Sequence, residues 1–352
     1  MPDQDILKSE EKAVFALRSL YRQYGYLPYK MSKFEDYEYY IRNKDFLVSD
    51  RIITFNDTNG RLLALKPDVT LSIIKNGEDV AGCKQKVYYN ENVYRVSDNT
   101  HQFKEIMQAG LECIGDIDLY DIFEVVSLAA QSLNQISPDF VLQISHQGIL
   151  SAVLNKVCAD PAFQQAAIGY MVEKNTHDLG RLCDRYGVDA APLSQLVSAY
   201  GERNKVLAQL EGLEGLEQLR QLSALLDTLP QSDRIIFDFS LVNNMNYYNG
   251  IIFKGYLSGI CESVLAGGRY DKLMQKLDRR AGAVGFALYL DLLEQLPQKK
   301  REYDVDVLLL YTDDTDKALV AKTVTELTKA GKTVSAQKSI PQKLRYKEVK
   351  SC

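Results

Sequence analysis

The sequence has 352 residues, of which 46% are hydrophobic and 25% are charged, and its formal net charge is -5 at pH 7. This composition excludes an intrinsically disordered chain, and the acidic balance gives no general attraction to nucleic acid. A chain of this length buries a large core and is expected to form more than one domain.

The chain shows no pattern of a metal, redox or membrane protein. Its six cysteines are scattered without a C-x-x-C spacing and it has only three histidines, so neither a zinc site nor a disulfide framework is indicated. Residues 1–10 are polar and acidic, unlike a signal peptide. No segment approaches the ~20 apolar residues of a membrane helix. We therefore expect a cytoplasmic protein without a metal or a cofactor.

The first predicted elements are a helix and a hairpin. Lys12 to Tyr24 carries apolar residues at helical spacing, and Gly25 ends the run. Arg51 to Phe55 and Arg61 to Leu65 are predicted strands on either side of a turn rich in Asn, Asp and Gly. This hairpin would present Asp68, which follows the second strand, at a pocket in the core.

Two polar residues of a later predicted strand share one face. Gln108 and Glu112 are four residues apart, and side chains at an even spacing on a strand point to the same side of the sheet. The spacing therefore allows both side chains to line a shared pocket.

The second half of the chain is predicted to leave the sheet and return to it. Residues 160–230 have a helical pattern and form a predicted insertion, after which Arg234 to Phe239 is a strand. A charged linker ends the first domain, residues 1–297. Residues 303–352 form a second domain, predicted to be a β-α-β unit followed by a basic tail.

Several short motifs follow one another in a specific order along the chain. Tyr88 to Arg95 resembles the motif 2 strand of histidyl-tRNA synthetases, and Leu241 to Asn249 resembles their L-V-R-G-L-D-Y-Y signature. Leu265 to Asp271 contains A-G-G-R-Y-D unchanged, and Gly285 to Leu288 lies where motif 3 begins. The resemblance covers roughly residues 10–295. It implies an α+β fold, with a class II aminoacyl-tRNA synthetase-like antiparallel sheet flanked by helices, and a partial C-terminal anticodon-binding-like unit.

Three cationic positions of that family are not cationic in this chain. The arginine of L-V-R-G-L-D-Y-Y is Asn243, the Glu-Arg that ends motif 3 is replaced within Tyr289 to Leu292, and the motif 2 loop reads His101 to Phe103. Of the phosphate-facing arginines that the resemblance implies, Arg95 remains. Joining a carboxylate to ATP gathers negative charge in the transition state, so the missing cations argue against amino-acid activation.

Two further segments carry a second resemblance. Lys66 to Thr70 is similar to the R-P-D-x-T of the regulatory subunits of ATP phosphoribosyltransferase, and Ile144 to Leu150 is similar to their G-H-x-G pattern. This resemblance implies a non-catalytic subunit that activates a short catalytic subunit in the first step of histidine biosynthesis and contributes to inhibition by histidine. It also implies a homodimer within a hetero-oligomer.

Two alternatives remain open at this stage. One is a histidyl-tRNA synthetase, or a related amino-acid-activating enzyme, with a degenerate site. The other is a stand-alone amino-acid sensor or RNA-binding protein. The partial second domain leaves little room for tRNA recognition, and tRNA binding is not expected.

The resemblance also implies a histidine-binding site but no catalytic residue. Asp68 and Thr70 would meet the α-amino group, Glu112 and Tyr248 would address the imidazole, and Tyr247 would line the pocket. Asp68 is in addition suited to cap a helix that starts near Thr70. The predicted binding residues are Asp68, Thr70, Gln108, Glu112, Tyr247, Tyr248, Gly267 and Gly268.

Overall fold

The computed structural model describes residues 7–43, 52–77, 82–96, 100–242, 247–296 and 302–352. The chain divides into two compact units, Met1–Leu296 and Pro297–Cys352. The strands of the first unit are β1 (Leu27–Pro28), β2 (Phe34–Asp36), β3 (Thr54–Asn56), β4 (Leu62–Leu65), β5 (Gln85–Val96), β6 (Phe103–Gly115), β7 (Phe140–His146), β8 (Tyr200–Gly201), β9 (Ile235–Asp238), β10 (Ile251–Leu257), β11 (Leu265–Arg269) and β12 (Gly282–Tyr289).

Helices flank these strands and fill the segment between β7 and β9. They are α1 (Ser9–Gln23), α2 (Tyr37–Arg42), α3 (Val69–Asn76), α4 (Leu119–Ile136), α5 (Gln147–Val157), α6 (Pro161–Val172), α7 (Thr176–Tyr186), α8 (Ala191–Ser198), α9 (Arg203–Gln209), α10 (Leu216–Leu226) and α11 (Asp271–Lys276). None of the helices in the described ranges is long and apolar enough to cross a membrane.

The main sheet contains nine strands in the described part of the chain, in the order β1-β5-β6-β12-β11-β10-β7-β9-β8. Its central pairs, from β5 to β7, are antiparallel, while β1 pairs with β5 and β7 pairs with β9 in parallel. The predicted hairpin is present as β3 and β4, which form a small separate sheet with β2. These elements match the predicted α+β architecture.

One face of the main sheet packs against α4. Leu133 of this helix packs closely against Gly255 of β10, because a Cβ at Gly255 would lie 2.6 Å from the Cδ1 atom of Leu133. Leu111 and Cys113 of β6 belong to the same core, and neither is exposed. Because successive residues of a strand point to opposite faces, Glu112 and Lys254 point away from α4 and toward the other face.

The inserted segment is helical, as predicted, apart from the short strand β8. Asp160 begins α6 by accepting hydrogen bonds from the backbone N–H groups of Ala162 and Phe163. Gly187 ends α7 in the left-handed conformation, with φ of 65°, where glycine is strongly favoured. Pro192 lies in the first turn of α8, where proline loses no intrahelical hydrogen bond.

The second unit differs from the sequence prediction at its end. Strand β13 (Val305–Leu310), helix α12 (Lys317–Lys329) and strand β14 (Val334–Gln337) form the expected β-α-β unit. The predicted basic tail is wrong, because β15 (Tyr346–Ser351) pairs in parallel with β13. Its residues are exposed or only partly buried, so the strand lacks the apolar pattern of a sheet interior. Charged side chains are common on such edge strands.

Candidate ligand-binding site

A cavity of about 430 Å³ lies on the face of the main sheet away from α4. Six of the eight predicted binding residues line it, namely Asp68, Thr70, Gln108, Glu112, Tyr247 and Tyr248. The same cavity is lined by Val69, Tyr89, Arg95, Lys254, Ser263, Ala266, Tyr270, Gly285, Phe286, Ala287 and Tyr289. Tertiary structure therefore gathers residues from β5, β6, β10, β11, β12 and α3 around one space.

Two polar contacts hold the segment that precedes Asp68 against strand β5. The ammonium group of Lys66 is fully buried and lies 2.8 Å from Oε2 of Glu91. The Nε atom of Arg95 donates to the carbonyl oxygen of Pro67 at 3.0 Å. These two contacts hold the segment before Asp68 on both sides of the proline, so that Asp68 reaches the cavity at a fixed position.

Asp68 has two roles in the folded chain. Its Oδ1 atom accepts a hydrogen bond from the backbone N–H of Leu71 at 2.9 Å, which caps α3 as predicted. Its Oδ2 atom lies 4.0 Å from Nη2 of Arg95. Burial raises the pKa of the Asp68 carboxyl, while Arg95 and the backbone donors lower it. One oxygen thus serves the helix, and the other faces a cation at the edge of ion-pair distance.

Glu112 is the most enclosed acid of the cavity, with 2% of its surface exposed. Its Oε1 atom accepts a hydrogen bond from the Thr70 hydroxyl at 2.7 Å, and its Oε2 atom accepts one from the Tyr270 hydroxyl at 2.5 Å. Burial raises the pKa of Glu112 to about 8, because it outweighs the two hydroxyl donors. The Thr70 hydroxyl is therefore already engaged by Glu112, in addition to the part predicted for it at an α-amino group.

Gly285 of β12 is directly opposite Glu112 in the antiparallel pairing with β6. A Cβ at this position would lie 1.7 Å from Oε2 of Glu112 and 2.4 Å from the carbonyl oxygen of Leu111. The carboxyl group therefore rests directly on the glycine backbone. Only a residue without a side chain leaves space for it there.

Aromatic rings form one wall of the cavity. The ring centroids of Tyr247 and Tyr248 are 4.5 Å apart, and those of Tyr247 and Tyr270 are 5.6 Å apart. Burial raises the pKa of Tyr247 and Tyr270 well above the ordinary value for tyrosine. The hydroxyls therefore stay protonated, and the wall combines flat apolar surface with neutral hydrogen-bonding groups.

The predicted residues Gly267 and Gly268 do not line the cavity. A Cβ at Gly268 would lie 2.8 Å from Cδ1 of Tyr248, and one at Gly267 would lie 2.5 Å from Cβ of Phe286. The two glycines permit close packing of aromatic residues on the two faces of β11. Gly268 therefore affects the cavity indirectly, because the Tyr248 ring that lines the cavity packs closely against it.

The remainder of the A-G-G-R-Y-D motif holds the tyrosine segment to the sheet. The side chain of Asn249, just after Tyr248, donates to Oδ2 of Asp271 at 3.2 Å and accepts from the backbone N–H of Asp271 at 3.0 Å. The Nε atom of Arg269 lies 2.7 Å from the same Oδ2 atom. This network positions the Tyr247–Tyr248 pair without entering the cavity.

Two of the three altered cationic positions lie among the described residues. Asn243 lies outside the described residues. In the motif 3 region, Tyr289 lines the cavity and Asp291 follows in a short 3-10 helix, residues 290–295. His101 adopts a positive φ of 55° in the turn before β6.

Several cavity residues were not predicted as binding residues. Lys254 is the one charged residue in the otherwise apolar strand β10, and this interruption of the apolar pattern could have indicated a functional side chain. Tyr270 belongs to a motif that was recognised, but its bond to Glu112 connects residues 158 positions apart. Tyr289 of β12 is paired with Gln108 of β6, and no local sequence pattern indicates this long-range pairing.

The sheet order and the cavity on its face define the chain as a class II aminoacyl-tRNA synthetase-like protein. The model of the family described as histidyl-tRNA synthetase matches residues 4–293. The chain therefore belongs to the histidyl-tRNA synthetase family, and the predicted fold class is confirmed.

The relatives include proteins named as regulatory subunits. An ATP phosphoribosyltransferase regulatory subunit of Oceanobacillus iheyensis is 29% identical over 307 residues, covering 82% of this chain and 74% of that protein. The predicted resemblance to this group is confirmed.

Two solved structures share the fold. A structure from Bacillus halodurans, titled ATP phosphoribosyltransferase regulatory subunit/histidyl-tRNA synthetase, has a TM-score of 0.77 and 23% identity, covering 98% of this chain and 94% of that one. A chain of an ATP phosphoribosyl transferase complex from Thermotoga maritima has a TM-score of 0.66 and 21% identity, covering 80% of this chain and 97% of that one.

Proposed function

We propose that this chain is a non-catalytic regulatory subunit of ATP phosphoribosyltransferase and that its cavity binds histidine as an effector. The observation that carries the proposal is the placement of Asp68 and of the hydrogen-bonded Glu112 carboxyl in one cavity with an aromatic wall. The relative from Oceanobacillus iheyensis, which is named as such a subunit, supports the assignment.

Histidine carries an ammonium group, an imidazole and a carboxylate, and the cavity has partners suited to the first two. Asp68, the N-cap residue of α3, lines the cavity and would accept a hydrogen bond from the ammonium group. Gln108 lies in the same cavity. Glu112 would form a hydrogen bond with an imidazole nitrogen, because its carboxyl group has hydrogen-bonding capacity beyond the two bonds that it accepts from the hydroxyls. Tyr247 and Tyr248 would pack against the ring.

The same chain is poorly equipped to activate an amino acid. Asn243, Asp291 and the His101 to Phe103 loop occupy the regions where the synthetases of this family carry arginines. Removing one group that stabilises a charged transition state typically lowers the rate by about a hundred- to a thousand-fold. In the described cavity, Arg95 is held by the Pro67 carbonyl and lies beside Asp68. These features support a binding role for the retained pocket.

The proposed mechanism is allosteric. A homodimer of this chain would assemble with short catalytic subunits and shift them between active and inhibited arrangements. Histidine in the cavity would oppose activation only if its affinity differs between those arrangements, because a ligand with equal affinity for both shifts neither.

The direct test measures ATP phosphoribosyltransferase activity of the short catalytic subunit from the same organism, with and without this chain, across a histidine titration. We expect stimulation by the chain and reversal by histidine. A parallel assay of histidine-dependent ATP-pyrophosphate exchange examines the alternative, a degenerate synthetase. Positive exchange without stimulation would replace the regulatory assignment with an enzymatic one.

The substitution Asp68→Asn separates the two roles of this residue. Asparagine also caps helices, so D68N is expected to keep the free energy of unfolding within about 0.5 kcal/mol of the wild-type value. Loss of the negative charge facing the ammonium group should weaken histidine binding by about tenfold or more. Isothermal titration calorimetry and urea unfolding measure the two quantities.

The matched variant Asp68→Ala removes the cap as well as the charge. We expect D68A to lose about 1 kcal/mol of stability that D68N retains, with a similar loss of histidine affinity. Wild-type affinity in D68N would show that the ammonium group does not bind at Asp68.

A further inference from the structure

Strand β10 carries one charged side chain, Lys254, between apolar neighbours. Lys254 is partly buried and lines the same cavity as Asp68 and Glu112. Within the part of the chain that the structure describes, its side-chain ammonium group makes no hydrogen bond or ion pair. A lysine that points into a cavity without an anionic partner is costly to the fold, since burial disfavours its charged form.

The strands beside Lys254 leave space for its long side chain. Its cross-strand neighbour on β11 is Ala266, and the neighbour of Ala266 on β12 is Ala287. Both alanines line the cavity. At the next position in the same row, Gly110 of β6, a Cβ would lie 2.4 Å from the Tyr89 hydroxyl oxygen, so the open part of the row lies over the two alanines. These alanines let the Lys254 ammonium group extend over the sheet into the cavity.

The charges of the described cavity residues are unevenly matched. Arg95 is engaged by the Pro67 carbonyl and lies 4.0 Å from Asp68. Glu112 is engaged by two hydroxyl donors. Among the residues that the structure describes, none supplies an anion to the ammonium group of Lys254. Burial lowers its pKa, and an anionic ligand at the ammonium group would oppose that effect.

We propose that Lys254 binds the carboxylate of the amino acid held in the cavity. It would supply the positive charge that Asn243 does not carry. An amino acid would then lie with its ammonium group at Asp68 and its carboxylate at Lys254. This assignment rests on the proposed function in one respect, which is that histidine is taken as the ligand.

The test compares L-histidine with L-histidinol, which has a neutral hydroxymethyl group in place of the carboxylate. Calorimetric titrations of the full chain are made with wild type, Lys254→Gln and Lys254→Arg. We expect K254Q to weaken histidine binding by about tenfold or more, because a charge-assisted bond is lost, and to change histidinol binding by less than about twofold. K254R retains the charge and should recover part of the histidine affinity.

The control variant Lys156→Gln removes an exposed lysine from α5 of the same unit, and we expect it to leave both affinities unchanged. Thermal unfolding of K254Q checks that the fold is kept. An equal loss for both ligands would assign Lys254 a structural role, and an unchanged histidine affinity in K254Q would likewise overturn the proposal.

Failure of this assignment can be distinguished from failure of the proposed function. If K254Q binds histidine as wild type does while the chain still stimulates the catalytic subunit, only the role of Lys254 is wrong. If the wild-type chain binds neither ligand, the histidine site and the role of Lys254 both fail. Stimulation of the catalytic subunit then decides separately whether the chain acts as a regulatory subunit.

Discussion

The variant Glu112→Gln is expected to gain stability relative to the wild type as the pH rises from about 4.5 to 8. The Glu112 carboxyl has a pKa of about 8 in the folded protein, against an ordinary value of 4.5. The folded state therefore keeps a proton that the unfolded state releases in this range. Glutamine is neutral throughout, so the variant lacks this coupling between proton binding and folding.

The direction follows from the raised pKa. The stabilising contribution of a protonated Glu112 is fully present below pH 4.5 and is lost as the pH rises through 8. Each pH unit in this window changes the free energy of unfolding by about 1.4 kcal/mol. The difference between E112Q and wild type should consequently move in favour of E112Q by on the order of 4 kcal/mol.

Urea unfolding at several pH values between 4.5 and 8.5 measures this difference. The control Glu105→Gln removes an exposed carboxyl from the same strand, β6. Its stability is expected to follow the wild-type pH dependence, since exposed groups interact weakly through water. If the free energy of unfolding of E112Q varies with pH as that of the wild type does, Glu112 titrates near its ordinary pKa. That result would contradict the burial of this carboxyl group.

The variant Gly285→Ala should lose both stability and ligand binding. Its new methyl group would lie 1.7 Å from Oε2 of Glu112 and 2.4 Å from the carbonyl oxygen of Leu111. Glu112 must then leave Thr70 and Tyr270, or the pairing of β6 with β12 must open. Overpacking of this kind typically costs about 1–3 kcal/mol, and the backbone contact places G285A at the upper end.

The control for G285A is Gly169→Ala. Gly169 lies inside α6, and a Cβ there meets nothing within 4 Å. Alanine is favoured over glycine in a helix, so G169A should be more stable than wild type by about 0.5–1 kcal/mol. Urea unfolding and histidine titration are made on both variants. Wild-type histidine affinity in G285A would contradict the position assigned to the Glu112 carboxyl.

The class of fold and six of the residues that line the cavity could be predicted from the sequence. Ordered motifs identified the family, and the even spacing of Gln108 and Glu112 placed both on one face of a strand, as the structure has them. Asp68 was predicted both to cap a helix and to face a pocket, and its position fits both. These properties depend on residue type and local periodicity, which are visible along the chain.

The hydrogen-bond partners and packing contacts of the cavity residues could not be predicted from the sequence. Tyr270 donates a hydrogen bond to Glu112, and the Glu112 carboxyl packs against Gly285. Strand pairing brings these distant parts of the chain together. Gly267 proved to be a packing residue of β11, and Lys254 entered the cavity from β10. Strand register and burial set these contacts and the pKa of Glu112, because both depend on residues far apart in sequence.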